Sequence, residues 1–312
     1  MASMGKQIGD LRAGVYTIMP TPFTDSGELD VGSLESVTAF LLSTGVDGLA
    51  ILGVMGEAQK LVGNERAEVV KQVLRTVAGR VPVVIGTTHE SAIGARTLSE
   101  AAQEAGASGV LLAAPRGSNS DLELIRRHYE FVGRSLTIPI VIHDYPASTG
   151  VVMSPELVAE LHSSVDVVRY IKLEEAPTVP KMSRLRQLCG SSLGIFGGLG
   201  GVFFLEELLT GAMGTMTGFA YPEILREVYG AFSSQDLERA RETFYRYLPL
   251  IRFEFQEGIG LAIRKRIYRL RGAIATDTVR APGRQLDEET ARQLDDLLAR
   301  FAPVDRPLTM QP

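Results

Sequence analysis

The sequence predicts a (β/α)8 barrel with a C-terminal helical extension, on three observations. Eight short runs rich in Val, Ile and Leu recur between residues 14 and 218. Each is followed by a stretch of helical periodicity, with apolar residues at i, i+3, i+4 and i+7. The runs are almost continuously hydrophobic, as strands of a parallel sheet covered on both faces must be. A doubly wound open sheet would use the same units, but eight of them without a dinucleotide fingerprint favour closure.

In chain order the runs are GVYTIM (14–19), GLAILG (48–53), VPVVIG (81–86), GVLLAA (109–114), IPIVIH (138–143), VVRYIK (167–172), LGIFGG (193–198) and AMGTMTG (212–218). Amphipathic segments such as ERAEVVKQVLRTVAG and GARTLSEAAQEAGA lie between them, several closing in Gly as helix C-termini prefer. After residue 224 the strand signal stops, and SQDLERARETFYRYLPLI, IGLAIRKRIYRLRG and LDEETARQLDDLLARFA read as helices. The expected plan is an N-terminal segment (1–12), a barrel carrying the active site (13–224) and a helical extension (225–312). Arg264, Lys265, Arg266, Arg269 and Arg271 make the middle helix of the extension basic. Without aromatic interleaving or a basic loop, this reads as a solvated or subunit-facing face rather than a nucleic-acid surface.

The bulk properties narrow the function. The 312 residues are 45% hydrophobic and 22% charged, with a formal net charge of −5. A chain of that length can bury a core unaided, and its charge gives no footprint for nucleic acid. No apolar run is long enough to span a bilayer, and MASMGKQIGD lacks the apolar stretch of a secretory signal. The single cysteine, Cys189, excludes a disulfide scaffold and thiolate metal clusters. His89, His128, His143 and His162 show no metal-ligand spacing. The expectation is a cytoplasmic protein with no metal, no nucleic acid and no membrane partner.

In a (β/α)8 barrel the chemistry sits at the C-terminal strand ends. Lys172 closes the sixth run. Side chains alternate along a strand, so Val168, Tyr170, Lys172 and Glu174 share one face, while Ile171, Leu173 and Glu175 share the other. An amine is nucleophilic only when unprotonated, and burial disfavours its charged form. Glu174 then reads as a proton shuttle whose own acid is raised by burial, with Glu175 turned to the loop or solvent. A Lys–Glu ion pair capping the strand fits the same residues. ILGVMGEAQKL (51–61) places Gly53, Val54, Met55 and Gly56 between a strand and a helix, where backbone N–H groups can hold a carboxylate or simply form a turn. His143 and Asp144 end the fifth run, with His143 either an acid–base group or a satisfied polar residue. GGLGG (197–201) can cup an anion on backbone N–H groups, or serve as a tight turn.

Taken together and in order, the GxxGE after the second run, the DxPxxTG after the fifth and the IK closing the sixth resemble the dihydrodipicolinate synthase and N-acetylneuraminate lyase superfamily. The resemblance runs from TPF (21–23) onward. It implies a class I aldolase or dehydratase acting on a 2-oxo acid through an imine on Lys172, with no cofactor, in a homotetramer built as a dimer of dimers. Four places depart from members that make dihydrodipicolinate. Val54 and Met55 stand where those members carry a Thr-Thr pair, His143 where they carry a tyrosine, Ser148 where they carry an arginine, and Arg116–Gly117 where they carry a Tyr-Tyr pair. Members resembling L-2-keto-3-deoxyarabonate dehydratase match better, through HDYPAS, the Lys172-Leu173-Glu174 spacing and GAMGTMTG (211–218). The resemblance adds Gly198 and Thr217 to the substrate-binding set and gives Glu174 the proton transfers that tyrosine performs elsewhere. The implied activity is dehydration or aldol cleavage of a 2-keto-3-deoxy sugar acid. Dihydrodipicolinate synthesis, cyclic imino acid deamination and a non-catalytic 2-oxo acid binder are the alternatives.

Overall fold

The computed structural model describes residues 11–301 and residue 303. Each expected run carries one strand: β1 (Gly14–Ile18), β2 (Gly48–Ile51), β3 (Val83–Gly86), β4 (Gly109–Leu112), β5 (Ile140–Asp144), β6 (Val168–Leu173), β7 (Gly194–Gly197) and β8 (Gly214–Thr217), with β5 and β6 reaching one residue past their runs. All are parallel and pair in chain order, and β8 returns to β1 to close the barrel. The connecting helices are α1 (Val31–Ser43), α2 (Gly63–Val77), α3 (Ala92–Glu104), α4 (Leu122–Gly133), α5 (Pro146–Thr149), α6 (Pro155–Ser164), α7 (Thr178–Cys189), α8 (Phe204–Leu209) and α9 (Pro222–Ser233). Their starts are written locally. Asp30, Ser91, Asp121 and Ser154 each accept a first-turn backbone N–H at the head of α1, α3, α4 and α6. The eighth barrel helix, α9, runs past the boundary expected at residue 224.

The barrel has a filled interior, so a ligand has only the strand ends to bind. Tyr16, Ile18, Ala50, Val84, Leu111, Val141, Tyr170, Phe196 and Met216 pack there with Leu11. Gly48 and Gly194 make room for the two tyrosines: an added Cβ would meet the Tyr16 ring at 2.1 Å and the Tyr170 ring at 2.2 Å. Leu11 N–H donates to the Tyr170 hydroxyl at 2.8 Å, tying the segment just ahead of β1 to the interior.

Alternation along β6 is interrupted. Ile140 pairs with Val168 but Val141 pairs with Tyr170, so Arg169 is bulged out of the register. Val168 therefore joins the outer core between sheet and helices, whereas Tyr170 points inward. This corrects the expected shared face at its first residue and leaves the Tyr170, Lys172, Glu174 spacing intact.

The extension forms α10 (Leu237–Glu254), α11 (Gly260–Leu270) and α12 (Glu288–Phe301). Of the basic residues of α11, Arg269 is exposed as expected, whereas the other four are partly or fully buried. Lys265 is fully buried and Arg264 is 6% exposed. The Arg271 guanidinium lies over the Phe40 and Tyr221 rings at 4.7 and 4.3 Å and pairs with Glu223. Lys265 and Arg271 are intramolecular latches, because each meets a carboxylate and an aromatic face that lie far away in sequence.

Candidate active site

Lys172 and His143 are Cα partners on adjacent strands. Both follow an interior residue by two positions, Tyr170 and Val141, so both point into the barrel mouth. Glu174 N–H donates to the Asp144 carbonyl at 2.8 Å, extending the pairing one step beyond β6 and keeping Glu174 on the face of Lys172. The three side chains meet. Glu174 Oε2 lies 2.6 Å from Lys172 Nζ and 2.8 Å from His143 Nε2, and the two nitrogens are 3.4 Å apart. The exposed fractions of the Lys172 and Glu174 side chains are 7% and 10%.

The GGLGG segment does cup an anion, and that anion is Glu174. Leu199 N–H donates to Glu174 Oε1 at 3.0 Å. Gly198 leaves the space the carboxylate fills, since an added Cβ would sit 2.3 Å from Glu174 Cγ. Leu199 holds a left-handed φ of 42° to present its amide, a conformation that non-glycine residues adopt at a cost and mostly at constrained sites.

These contacts reverse the expected direction for Glu174. Burial on its own would raise its acid, but Lys172 and the His143 hydrogen bond outweigh it and hold the acid at about 2. In the unliganded site Glu174 is thus a carboxylate. Burial first, and the Lys172 charge second, push His143 below its ordinary value, so the imidazole is neutral and its Nε2–H donates to Glu174. Tyr145, which the sequence reading did not select, stacks on the His143 ring with centroids 5.8 Å apart and planes 24° apart. The following Pro146, fixing the turn into α5, was the available signal for it.

The β2 loop is held from both ends. Gly56 N–H bonds the Gly53 carbonyl at 3.1 Å, so it is not offered to a ligand as expected, and the Gly56 carbonyl accepts from the Thr21 hydroxyl at 2.6 Å. The Val54 and Met55 amides have no partner among the described residues. Val54 is 42% exposed, whereas Met55 packs against the interior cluster. Glu57, at φ 51° and 2% exposed, anchors the loop to the extension. Its Oε1 pairs with Lys265 Nζ at 2.6 Å, and its Oε2 receives Lys60 Nζ at 2.8 Å and Arg280 N–H at 3.1 Å. A cleft of about 730 Å³ runs from His143 over Gly53, Val54, Thr88, Ala113 and Ser148. Lys172 does not border it; its Nζ is turned to Glu174.

Two expected binding residues face the other way. Asp144, one residue past inward-facing His143, is fully buried behind the strand and pairs with Lys181 Nζ at 2.7 Å. Burial pushes its acid up to about 6, with Lys181 opposing. Lys181 also pairs with Glu175, which is therefore held rather than free in solvent. Thr217 follows inward-facing Met216 and so turns outward, its methyl 3.7 Å from where a Cβ on Gly201 would be. The period of two decides both cases, and the sequence alone does not fix its phase on β8.

A second carboxyl lies behind the site. Glu207, on α8, is fully buried against Gly197, where an added Cβ would meet its Oε2 at 1.7 Å. Burial pushes its acid from 4.5 up to about 8, and the Glu174 charge adds to this. The fold accommodates the neutral acid, so the contribution of Glu207 is complete below the unfolded value and is lost as pH rises toward the folded one. Glu207→Gln is expected to melt above the wild type at alkaline pH and to converge with it in mild acid. Thermal melts across that range check this, and a difference that does not change with pH contradicts it.

Among the described residues, no group of three or more His, Cys, Asp or Glu is placed to hold a metal ion, and no helix is long and apolar enough to cross a membrane.

This architecture has known counterparts. Residues 11–301 match the dihydrodipicolinate synthetase family. L-2-keto-3-deoxyarabonate dehydratase of Azospirillum brasilense is 32% identical over 300 residues, covering 93% of this chain and 96% of the relative. A 4-hydroxy-tetrahydrodipicolinate synthase of Geobacter sulfurreducens is 31% identical over 290 residues, covering 92% and 98%. Among solved structures, dihydrodipicolinate synthase from Rhodopseudomonas palustris aligns with a TM-score of 0.87 at 32% identity, over 93% of this chain and 100% of that one. YagE, a prophage protein of the dihydrodipicolinic acid synthase family from E. coli solved in complex with pyruvate, aligns with a TM-score of 0.88 at 27% identity, over 94% and 99%. The chain belongs to the dihydrodipicolinate synthetase family and is an enzyme of the lyase class.

Proposed function

We propose that the protein dehydrates a 2-keto-3-deoxy sugar acid through an imine on Lys172. The observation that carries this reading is the Glu174 carboxylate, 2.6 Å from Lys172 Nζ and hydrogen-bonded by His143. The site has a base beside the amine, and His143 stands where dihydrodipicolinate-forming members of the superfamily carry a tyrosine. Similarity to the Azospirillum dehydratase over nearly the full chain supports it.

The reaction begins when a proton leaves the Lys172 ammonium for Glu174 or His143. The freed amine adds to C2 of the 2-oxo acid, and loss of water gives a protonated imine. That iminium acidifies C3. Glu174 takes a C3 proton, the electron pair passes to nitrogen as an enamine, and its return expels the C4 hydroxyl, which leaves as water with a proton supplied from the Glu174–His143 pair. In the five-carbon acid the resulting C3–C4 alkene then isomerises, C5 and its hydroxyl each giving up a proton while C3 and C4 each gain one, which leaves an aldehyde at C5; hydrolysis restores Lys172 and releases the semialdehyde. Aldol cleavage differs by one proton: if the base takes it from the C4 hydroxyl, the C3–C4 bond breaks to the pyruvate enamine. Dihydrodipicolinate synthesis is disfavoured by Val54, Met55, His143, Ser148 and Arg116–Gly117 at the four places of departure. The assembly proposed is a homotetramer, although one structural neighbour is a monomeric dihydrodipicolinate synthase variant; light-scattering mass decides.

The test is a panel of 2-keto-3-deoxy acids, scored separately for 2-oxoglutarate semialdehyde and for pyruvate. Semialdehyde formation from the five-carbon acid is the expected result. Pyruvate release shifts the assignment to the aldolase, and condensation of pyruvate with aspartate semialdehyde replaces it with the synthase.

A further inference from the structure

Three hydrogen-bond donors without an acceptor gather around Met55. Two are the backbone amides of Val54 and Met55, which have no partner among the described residues. The third is Nη2 of Arg264 on α11, a residue whose Nη1 donates to Met55 Sδ at 2.8 Å. Arg264 is 6% exposed, and its Nη2 has no hydrogen-bond partner among the described residues. Glu254 Oε2 is 3.4 Å from its Nε, outside hydrogen-bond geometry, and already accepts the Ala220 N–H at 2.9 Å. Burial pushes the Glu254 acid up to about 7, so Glu254 is a partial counter-charge for the guanidinium. A buried guanidinium edge left unpaired is costly, and a site that keeps one is built for an anion.

The distances suit a carboxylate. Four bonds of the Met55 chain separate its amide nitrogen from Sδ, about 5 Å at full reach. With the 2.8 Å contact added, amide and guanidinium lie within about 8 Å. Two carboxylate oxygens about 2.2 Å apart, each with a hydrogen bond of about 2.9 Å, cover that span. Met55 is placed to let this happen: its Cε packs 2.9 Å from where a Cβ on Gly218 would be, beside the barrel interior. Its thioether is unbranched and shifts easily. Neither Val54 nor Met55 offers a hydroxyl, so the loop by itself brings no side-chain donor to an anion.

We propose that Arg264, delivered from the C-terminal extension, binds the carboxylate of the 2-oxo acid together with the Val54 and Met55 amides, supplying the side-chain donor this loop lacks. The inference rests on the 2-oxo acid reading above and names the residue that makes the site demand an anion at C1. The barrel provides the amine and the base, and the extension provides the charge that orients the substrate toward them.

The experiment is borohydride trapping with pyruvate and, separately, with its neutral methyl ester. Arg264→Met is expected to raise the half-saturating pyruvate concentration about 10- to 100-fold, the worth of a charge-assisted pair, with ester trapping unchanged. Adding Met55→Thr is expected to restore part of the loss by returning a hydroxyl. If Arg264→Met does not fold, Arg264→Gln removes the charge with a smaller change in shape and gives the same readout. Equal losses for pyruvate and ester, or an unchanged pyruvate response, overturn the Arg264 assignment alone. No adduct with either compound in the wild type overturns the 2-oxo acid reading and this inference with it.

Discussion

Glu174→Gln is expected to lower kcat by about 10²- to 10⁴-fold, the usual contribution of a positioned general base, while leaving the imine intact. The amide keeps the shape of the side chain and can still accept the Leu199 N–H now bonded to Oε1 at 3.0 Å. It cannot remove a proton from C3. Borohydride should therefore still fix pyruvate to Lys172 while product formation nearly stops. Steady-state turnover and trapping, measured on one preparation, separate the outcomes. Unchanged kcat removes Glu174 from proton transfer. Loss of trapping along with turnover makes it a group that prepares the amine rather than one that acts on C3. Because Glu174 is held at about 2 by Lys172 and His143 against its own burial, the sign of its stability contribution is also fixed. That contribution is present above the ordinary value of 4.5 and fades as pH falls toward 2.

Glu57→Gln is expected to cost about 3–5 kcal/mol, the penalty for removing one partner of a buried ion pair. Lys265 is fully buried and loses its 2.6 Å carboxylate contact, and Lys60 loses its partner at 2.8 Å. The Lys265 and Arg280 cations also lie over the Phe23 ring, at 4.5 and 4.2 Å, so that ring and the Thr278 carbonyl, 2.7 Å from Lys265 Nζ, must then hold Lys265 without a counter-charge. Urea unfolding should show a lower midpoint with an unchanged slope. Combining Glu57→Leu with Lys265→Met should recover much of the loss, since a hydrophobic pair needs no counter-charge. A single variant as stable as the wild type would mean that the extension does not brace the β2 loop through Glu57.

The barrel was readable because its strands are buried on both faces, which leaves an unmistakable apolar run at each. Lys172 was readable because a strand that ends in lysine breaks that run where barrels keep their chemistry. Glu174 followed from alternation counted outward from Lys172. The same counting failed wherever its phase depended on tertiary structure. The bulge at Arg169 put Val168 in the outer core, and inward-facing Met216 turned Thr217 away from the mouth. Asp144 looked like a rim residue until its partner, Lys181 on α7, fixed it behind the strand. The basic stripe on α11 misled for a related reason. Composition registers the cations but not the carboxylates and rings that meet Lys265 and Arg271, and those come from residues 23, 40, 57, 221 and 223. Burial alone gives the wrong direction for Glu174, because the Lys172 charge and the His143 hydrogen bond beside it act the other way and are stronger.

The most direct test of the account is mass mapping of the wild type reduced with borohydride in the presence of pyruvate. One reduced pyruvyl adduct is expected, on the peptide containing Lys172, and none on Lys172→Ala. An unmodified wild type, or an adduct that persists in Lys172→Ala, contradicts it.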